Sequence, residues 1–188
     1  MASIIQRVRD PLHDLIEFND QEFERTMWKL LQTEAFQRLR RIRQLGFSEY
    51  TFPGATHTRF AHSLGVFHTA RQLMSIIQRR TPTNQFKDSR ARVALAAALL
   101  HDVGHGMFSH AFESVAKRLS FGMADHEEVS SKVIQESEIA GVLEEGGLDP
   151  AKVATLIARK GPEDLYDAVV SSQFDADRLD YMRRDRLM

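Results

Sequence analysis

A chain of 188 residues suits one domain with a continuous hydrophobic core and leaves little room for a second. Apolar residues make up 43% and charged residues 27%, the range of ordinary soluble globular proteins, and 25 Lys and Arg against 26 Asp and Glu leave a net charge of −1, so any anion site must be local. The absence of cysteine excludes disulfides, thiolate zinc sites and cysteine nucleophiles, and restricts any metal to nitrogen and oxygen ligands.

Ile5, Arg7 and Val8, then Leu15, Ile16 and Phe18, alternate apolar and polar residues around Asp10-Pro11, which predicts a short β-hairpin. From Asp20 the apolar spacing becomes helical through Phe23, Met27, Leu30, Leu31, Phe36, Leu39, Ile42 and Leu45, and Gly46 is a natural stop. The cluster Arg38, Arg40, Arg41 and Arg43 falls in this stretch. An amphipathic helix explains it better than a polyanion site does.

Residues 47–58, with Pro53-Gly54, read as a loop, followed by a helix from Arg59 to about Gln78 and an exposed polar connection over 79–88. The Ala-, Leu- and Val-rich run from Arg90 to His101 has so little polar surface that it must lie centrally. Further helices are predicted over 109–118, 126–137, 139–145, 150–159, 163–171 and 175–186, with no internal repeat. The expected fold is all-α, a helical bundle carrying a small N-terminal β-hairpin. No run of 18 apolar residues occurs, and residues 1–7 lack a basic region leading into a long apolar stretch, so the expected address is cytoplasmic, with no membrane partner.

Seven of the eight histidines (57, 62, 68, 101, 105, 110 and 126) fall within 70 residues. The sharpest local feature is His101-Asp102-Val103-Gly104-His105-Gly106-Met107-Phe108-Ser109-His110, at the end of the predicted central helix. Imidazole and carboxylate are both good ligands for first-row divalent ions, and an adjacent His-Asp pair can converge on one ion. Two further ligands are needed, and His62 and Asp177 are the candidates. Taken singly, His62 also reads as a core histidine, and Asp177 as a helix cap or a surface ion pair.

The ordered set His62, His101-Asp102, Asp177 resembles the H…HD…D pattern of the HD superfamily of metal-dependent phosphohydrolases. More narrowly, Gln44-Leu45-Gly46, the run from Phe52 to Gly65, the run from Leu100 to His110, His126-Glu127 and the run from Asp177 to Asp185 resemble the deoxynucleoside triphosphate triphosphohydrolase branch, which includes the sterile-alpha-motif and HD-domain proteins. The resemblance covers nearly the whole chain. It implies an HD-domain bundle over residues 1–188 that lacks the C-terminal helices of the full-length family.

The resemblance further implies a divalent metal (Mn, Fe, Ni, Co, Zn or Mg) on His62, His101, Asp102 and Asp177. It also implies hydrolysis of a dNTP at the α-phosphorus, giving deoxynucleoside and triphosphate. His110 matches the family's proton donor to the leaving oxygen, with Glu113 orienting it, and His105 and His126 match positions beside the scissile phosphate. Arg59 and Arg178 match residues that hold the phosphate tail, while Gln44, Leu45, Tyr181 and Asp185 match positions around the sugar. Tyr181 also reads as a core aromatic, and Arg178 as part of a solvated helix face. The family pattern has Glu where this chain has Ala61, and Asp where it has Glu113. A homo-oligomer is expected by resemblance, and a nucleic-acid partner is not favoured. The competing functions are an HD-type phosphodiesterase or nuclease, and a non-catalytic nucleotide-binding HD module.

Overall fold

The structure, a computed structural model, describes residues 5–122, 124–159 and 161–187. The other residues of the expected 1–188 domain lie outside that description. The hairpin forms as expected. Strands β1 (Gln6–Asp10) and β2 (Asp14–Phe18) pair antiparallel with Val8 opposite Ile16 and Asp10 opposite Asp14. At the turn, Asp10 Oδ1 accepts the amides of Leu12 (2.9 Å) and His13 (3.1 Å), an Asx turn that closes the loop. Ile16 and Phe18 point inward, where Phe18 stacks on Phe67 with ring centroids 5.6 Å apart.

The single helix predicted over 20–45 is broken. Helix α1 (Glu22–Gln32) ends at Thr33, whose backbone is extended (φ −63°, ψ 147°). The Thr33 hydroxyl donates to the Leu30 carbonyl at 2.7 Å and accepts from the Phe36 amide, so it ends one helix and caps the short α2 (Glu34–Gln37). A 3₁₀ turn over Arg38–Arg41 follows, and a second over Gly46–Tyr50 lies within the predicted loop. The arginine cluster is therefore not a helical face. Arg38 donates to the carbonyls of Val103 (2.6 Å) and His105 (2.7 Å), Arg40 lies over the Phe60 ring, and Arg43 bonds the Thr56 carbonyl.

Helices α3 (Arg59–Arg80) and α4 (Asp88–Leu100) form the centre of the bundle. As its composition requires, α4 is buried over most of its length from Ala91 onward, packed against α3, α1 and a later helix. Around it lie α5 (His110–Arg118), α6 (His126–Glu136), α7 (Glu138–Glu145), α8 (Pro150–Ala158), which is the later helix against α4, and α9 (Ala176–Leu187).

The helix predicted over 163–171 is only a 3₁₀ turn at Asp167–Val169. The Asp164 carboxylate takes the amides of Tyr166 and Asp167, and the buried Asp167 carboxylate receives Arg90 (2.6 Å) and Arg159 (2.9 Å). Side-chain acceptors thus replace the backbone ladder there. Among the described residues no helix is long and apolar enough to cross a membrane.

Candidate metal centre

Three helix ends converge on one cleft. His62 lies in the first turn of α3, which Thr58 caps through the Ala61 amide. His101 and Asp102 follow the last turn of α4, and Asp177 lies in the first turn of α9. The expected alternative for Asp177 was a helix cap, yet that task falls to Asp175, whose carboxylate accepts the Arg178 amide at 2.9 Å and the Ser172 amide at 3.1 Å. Asp177 is left facing His62, with its Oδ1 2.8 Å from His62 Nε2 and 3.8 Å from His101 Nε2. Asp102 lies 3.4 Å from His101 Nε2 and 3.9 Å from His62 Nε2.

The tautomers are set from behind. His101 Nδ1 donates to the Ala98 carbonyl at 2.9 Å, and His62 Nδ1 to Asp180 Oδ2 at 2.9 Å. Each Nε2 therefore turns toward the two carboxylates, the second-sphere pattern that aims an imidazole lone pair at a cation. His101 Nε2 is buried without a hydrogen-bond partner. A buried nitrogen left so is costly unless something else occupies it. Together with the ligand atoms of His62, His101 and Asp102, which lie within 4.8 Å of one another, this orphaned atom makes the set fit a divalent ion.

Electrostatics agree with that geometry. Burial disfavours the His62 imidazolium, but the bonds to Asp177 and Asp180 and the charge of Asp102 outweigh it and raise its pKa to about 10. Burial pushes the Asp102 carboxyl up, yet His101, Arg59 and His105 hold it well below the usual range. Asp177 is likewise lowered, by His62 and His101 against burial. In this form a proton on His62 neutralises charge where a cation would do so.

A second cluster adjoins the first. Three imidazoles face the Glu113 carboxylate with their Nδ1 atoms, His126 at 2.8 Å, His110 at 3.3 Å and His105 at 3.5 Å, and of these only His110 is placed to donate a hydrogen bond to it. The His105 and His126 rings stack at 3.8 Å, and His105 Nε2 lies 3.3 Å from Asp102 Oδ1. Burial lowers His105 to about 4 despite Asp102, so that ring is neutral at pH 7. The His110 side chain is 73% exposed.

The backbone entering α5 is strained. Phe108 and Ser109 have φ of 62° and 51°, a left-handed geometry that costs about 1–3 kcal/mol per non-glycine residue. Phe108 stacks on Phe47 at 4.3 Å, while the Ser109 hydroxyl accepts Arg59 Nε at 3.0 Å. Gly46 (φ +55°) lies against this turn, where a Cβ would come 3.0 Å from the Phe108 carbonyl oxygen.

The cleft has a volume of about 760 Å³. His62, His101, Asp102 and Asp177 line it, as do Arg59, Gln44, His105, His110, His126, Arg178 and Tyr181. Glu113 is not among the lining residues but lies beside three of the histidines that are. Leu45 and Asp185 line a separate, smaller cavity of about 360 Å³ with Phe52, Pro53 and Ala55, and are not brought into the main cleft. Arg59 is 3% exposed, and its guanidinium is engaged by Asp102 and Ser109. Tyr181 lines the cleft rather than the core.

The HD domain family model matches residues 59–182, which span both histidine clusters and Asp177. The chain belongs to the HD-domain family. It is 41% identical over 179 residues to an uncharacterized protein, YwfO, of Bacillus subtilis, covering 94% of this chain and 39% of that one. The SAMHD1 homolog of Dictyostelium discoideum, a deoxynucleoside triphosphate triphosphohydrolase, is 34% identical over 191 residues, covering 95% of this chain and 35% of that one. Among solved structures, a phosphohydrolase of Bacteroides thetaiotaomicron superposes with a TM-score of 0.78 at 31% identity, covering 97% of this chain and 41% of that one. The chain thus spans less than half the length of each.

Sequence reasoning missed what stands behind the metal centre. Asp180 accepts His62 Nδ1, His13 Nε2 (2.7 Å) and the Arg184 guanidinium (2.9 and 3.0 Å), and Arg184 in turn binds Asp10 at 2.9 Å. All but His13 are at most 3% exposed, and the His13 side chain is 2% exposed. The Asp180–Arg184 spacing of four on a helix was a signal for that pair. Nothing local linked Asp10 or His13 of the hairpin to that pair.

Proposed function

We propose that this HD domain is the core of a metal-dependent phosphohydrolase acting on deoxynucleoside triphosphates. The single observation that carries the metal-dependent part is the buried, partnerless His101 Nε2 aimed between two carboxylates. His62, His101, Asp102 and Asp177 would hold the ion, which when bound supplies Lewis acidity toward a phosphoryl oxygen and lowers the pKa of a water. The dNTP part is supported by similarity to the Dictyostelium triphosphohydrolase.

Water adds to the α-phosphorus, the bond from phosphorus to the sugar 5′ oxygen breaks, and deoxynucleoside and inorganic triphosphate leave. The 5′ oxygen is basic and needs a proton. His110, exposed in the cleft with its Nδ1 held by Glu113, presents Nε2 to give it. His126 and His105, whose rings stack beside the same carboxylate, line the cleft where the reacting phosphate would lie. Arg59 and Arg178 supply guanidinium groups for the phosphate tail, a task suited to their planar donor geometry. For Arg59 a phosphate oxygen would replace Asp102 as acceptor.

Gln44, whose buried Oε1 lacks a partner, and Tyr181 flank the sugar, whereas Leu45 and Asp185 line the separate, smaller cavity. The test is to incubate the protein with each dNTP and Mn(II) and separate the products. Deoxynucleoside and triphosphate in equal amounts are expected. Intact dNTPs beside a cleaved oligonucleotide would instead make the protein a nuclease.

A further inference from the structure

The metal centre is supported from an unexpected direction. His13, at the tip of the N-terminal hairpin, is 167 residues from Asp180 in sequence, yet its Nε2 lies 2.7 Å from Asp180 Oδ1. The other oxygen of the same carboxylate holds His62 Nδ1 at 2.9 Å. Asp180 itself is fully buried, and Arg184 clamps it through Nε and Nη2. Arg184 is held in its turn by Asp10, the residue whose carboxylate also closes the hairpin turn.

We propose that His13 and Asp180 are positioning residues for His62, so that the hairpin tip is a working part of the metal centre. The inference rests on the reading of His62 as a metal ligand. Docking the hairpin does not require this arrangement, because Ile16 and Phe18 already anchor it by apolar burial. A histidine buried against a carboxylate adds directional control instead. With Oδ1 occupied by His13 and Arg184, the Asp180 carboxylate cannot rotate, and Oδ2 stays on His62 Nδ1. That fixes both the plane of the His62 ring and the tautomer with Nε2 free.

Gly65, one turn along α3 from His62, lets α9 come close enough for this to work. A Cβ at that position would lie 2.1 Å from Asp180 Oδ1 and 2.3 Å from Arg184 Nη2.

The test is a Co(II) titration followed by visible absorption on the wild type, His13→Ala, His13→Gln and His62→Ala, with thermal melting of each metal-free protein alongside. Loss of a second-sphere partner typically weakens metal binding about 10–100-fold. His13→Ala, which leaves Asp180 on His62 and removes only the brace behind it, is expected to weaken binding toward the lower end of that range, about tenfold, and to change the cobalt spectrum, while His13→Gln, which keeps a donor at similar reach, recovers most of the affinity. A purely structural role for His13 would lower the melting temperature of His13→Ala and leave the cobalt affinity and spectrum at wild-type values, and that result overturns the proposal.

If His62→Ala also binds cobalt as the wild type does, the ligand reading fails instead, and the two failures are distinct. Should His13→Ala not fold, ¹⁵N-histidine spectra of the Zn(II)-loaded wild type serve in its place. Metal on His62 Nε2 with a proton on Nδ1 upholds the proposal, and metal on Nδ1 overturns it.

Discussion

Replacing Gly65 with alanine probes the close approach of α9 to α3. Inside a helix this change ordinarily stabilises a protein by up to about 1 kcal/mol. Here the new Cβ would sit 2.1 Å from Asp180 Oδ1, and real Cβ contacts stay beyond 3.0 Å, so α9 must retreat by roughly 0.9 Å or the carboxylate must swing away. Overpacking of this kind costs about 1–3 kcal/mol. Loosening the Asp180–Arg184 pair adds a similar amount, since outright removal of one partner of a buried ion pair costs about 3–5 kcal/mol.

Set against the helix propensity, Gly65→Ala should destabilise by about 2–4 kcal/mol, lowering the urea midpoint by about 1–2 M. Gly141→Ala is the control. It lies within α7 with nothing inside 4 Å of the added carbon, and should be neutral or stabilising. A Gly65→Ala protein as stable as Gly141→Ala would refute the packing described between α3 and α9.

Two further outcomes follow from the same geometry. Ser130 is fully buried, accepting the Gly104 amide at 2.9 Å and donating to the His101 carbonyl at 3.0 Å. Ser130→Ala should therefore destabilise by about 1–3 kcal/mol in chemical denaturation, and an unchanged midpoint would mean that these bonds do not hold the turn. Because His62 retains its proton up to about pH 10 in the metal-free protein, a metal must displace that proton at lower pH. Apparent affinity for Co(II) should then rise about tenfold per pH unit, roughly 100-fold from pH 6 to 8. A flat profile over that interval would contradict the charge balance assigned to His62.

The parts of the fold legible in the sequence were those encoded locally. The Asp10-Pro11 turn with alternating flanks marked the hairpin, and the Ala-Leu-Val run of α4 marked the central helix, because apolar residues on every face have nowhere to go but the interior. What escaped were competitions between side chain and backbone. Apolar periodicity continued straight through Thr33, and only its hydroxyl, bonded to the Leu30 carbonyl, ends the helix there. Residues 163–171 had helical spacing too, yet Asp164 and Asp167 drew the amides and arginines into a compact turn.

The same division runs through the site. The crowding of histidines between 57 and 126 pointed to the cleft, and the structure brings His62, His101, Asp102 and Asp177 together there. The gathering of three histidines around Glu113 was legible only in part, since a spacing of three linked it to His110, whereas His105 comes from the turn after α4 and His126 from the start of α6. Asp10 and His13 lie more than 165 residues from their partners on α9, and no local pattern records such a distance.

The proposed function requires a divalent ion held by four side chains from three helix ends. Metal content of the purified protein, measured by inductively coupled plasma mass spectrometry beside the folded His101→Ala and Asp177→Ala variants, tests this most directly. One tightly held divalent ion per wild-type chain, and far less in both variants, is the predicted result. Equal metal in all three would contradict it.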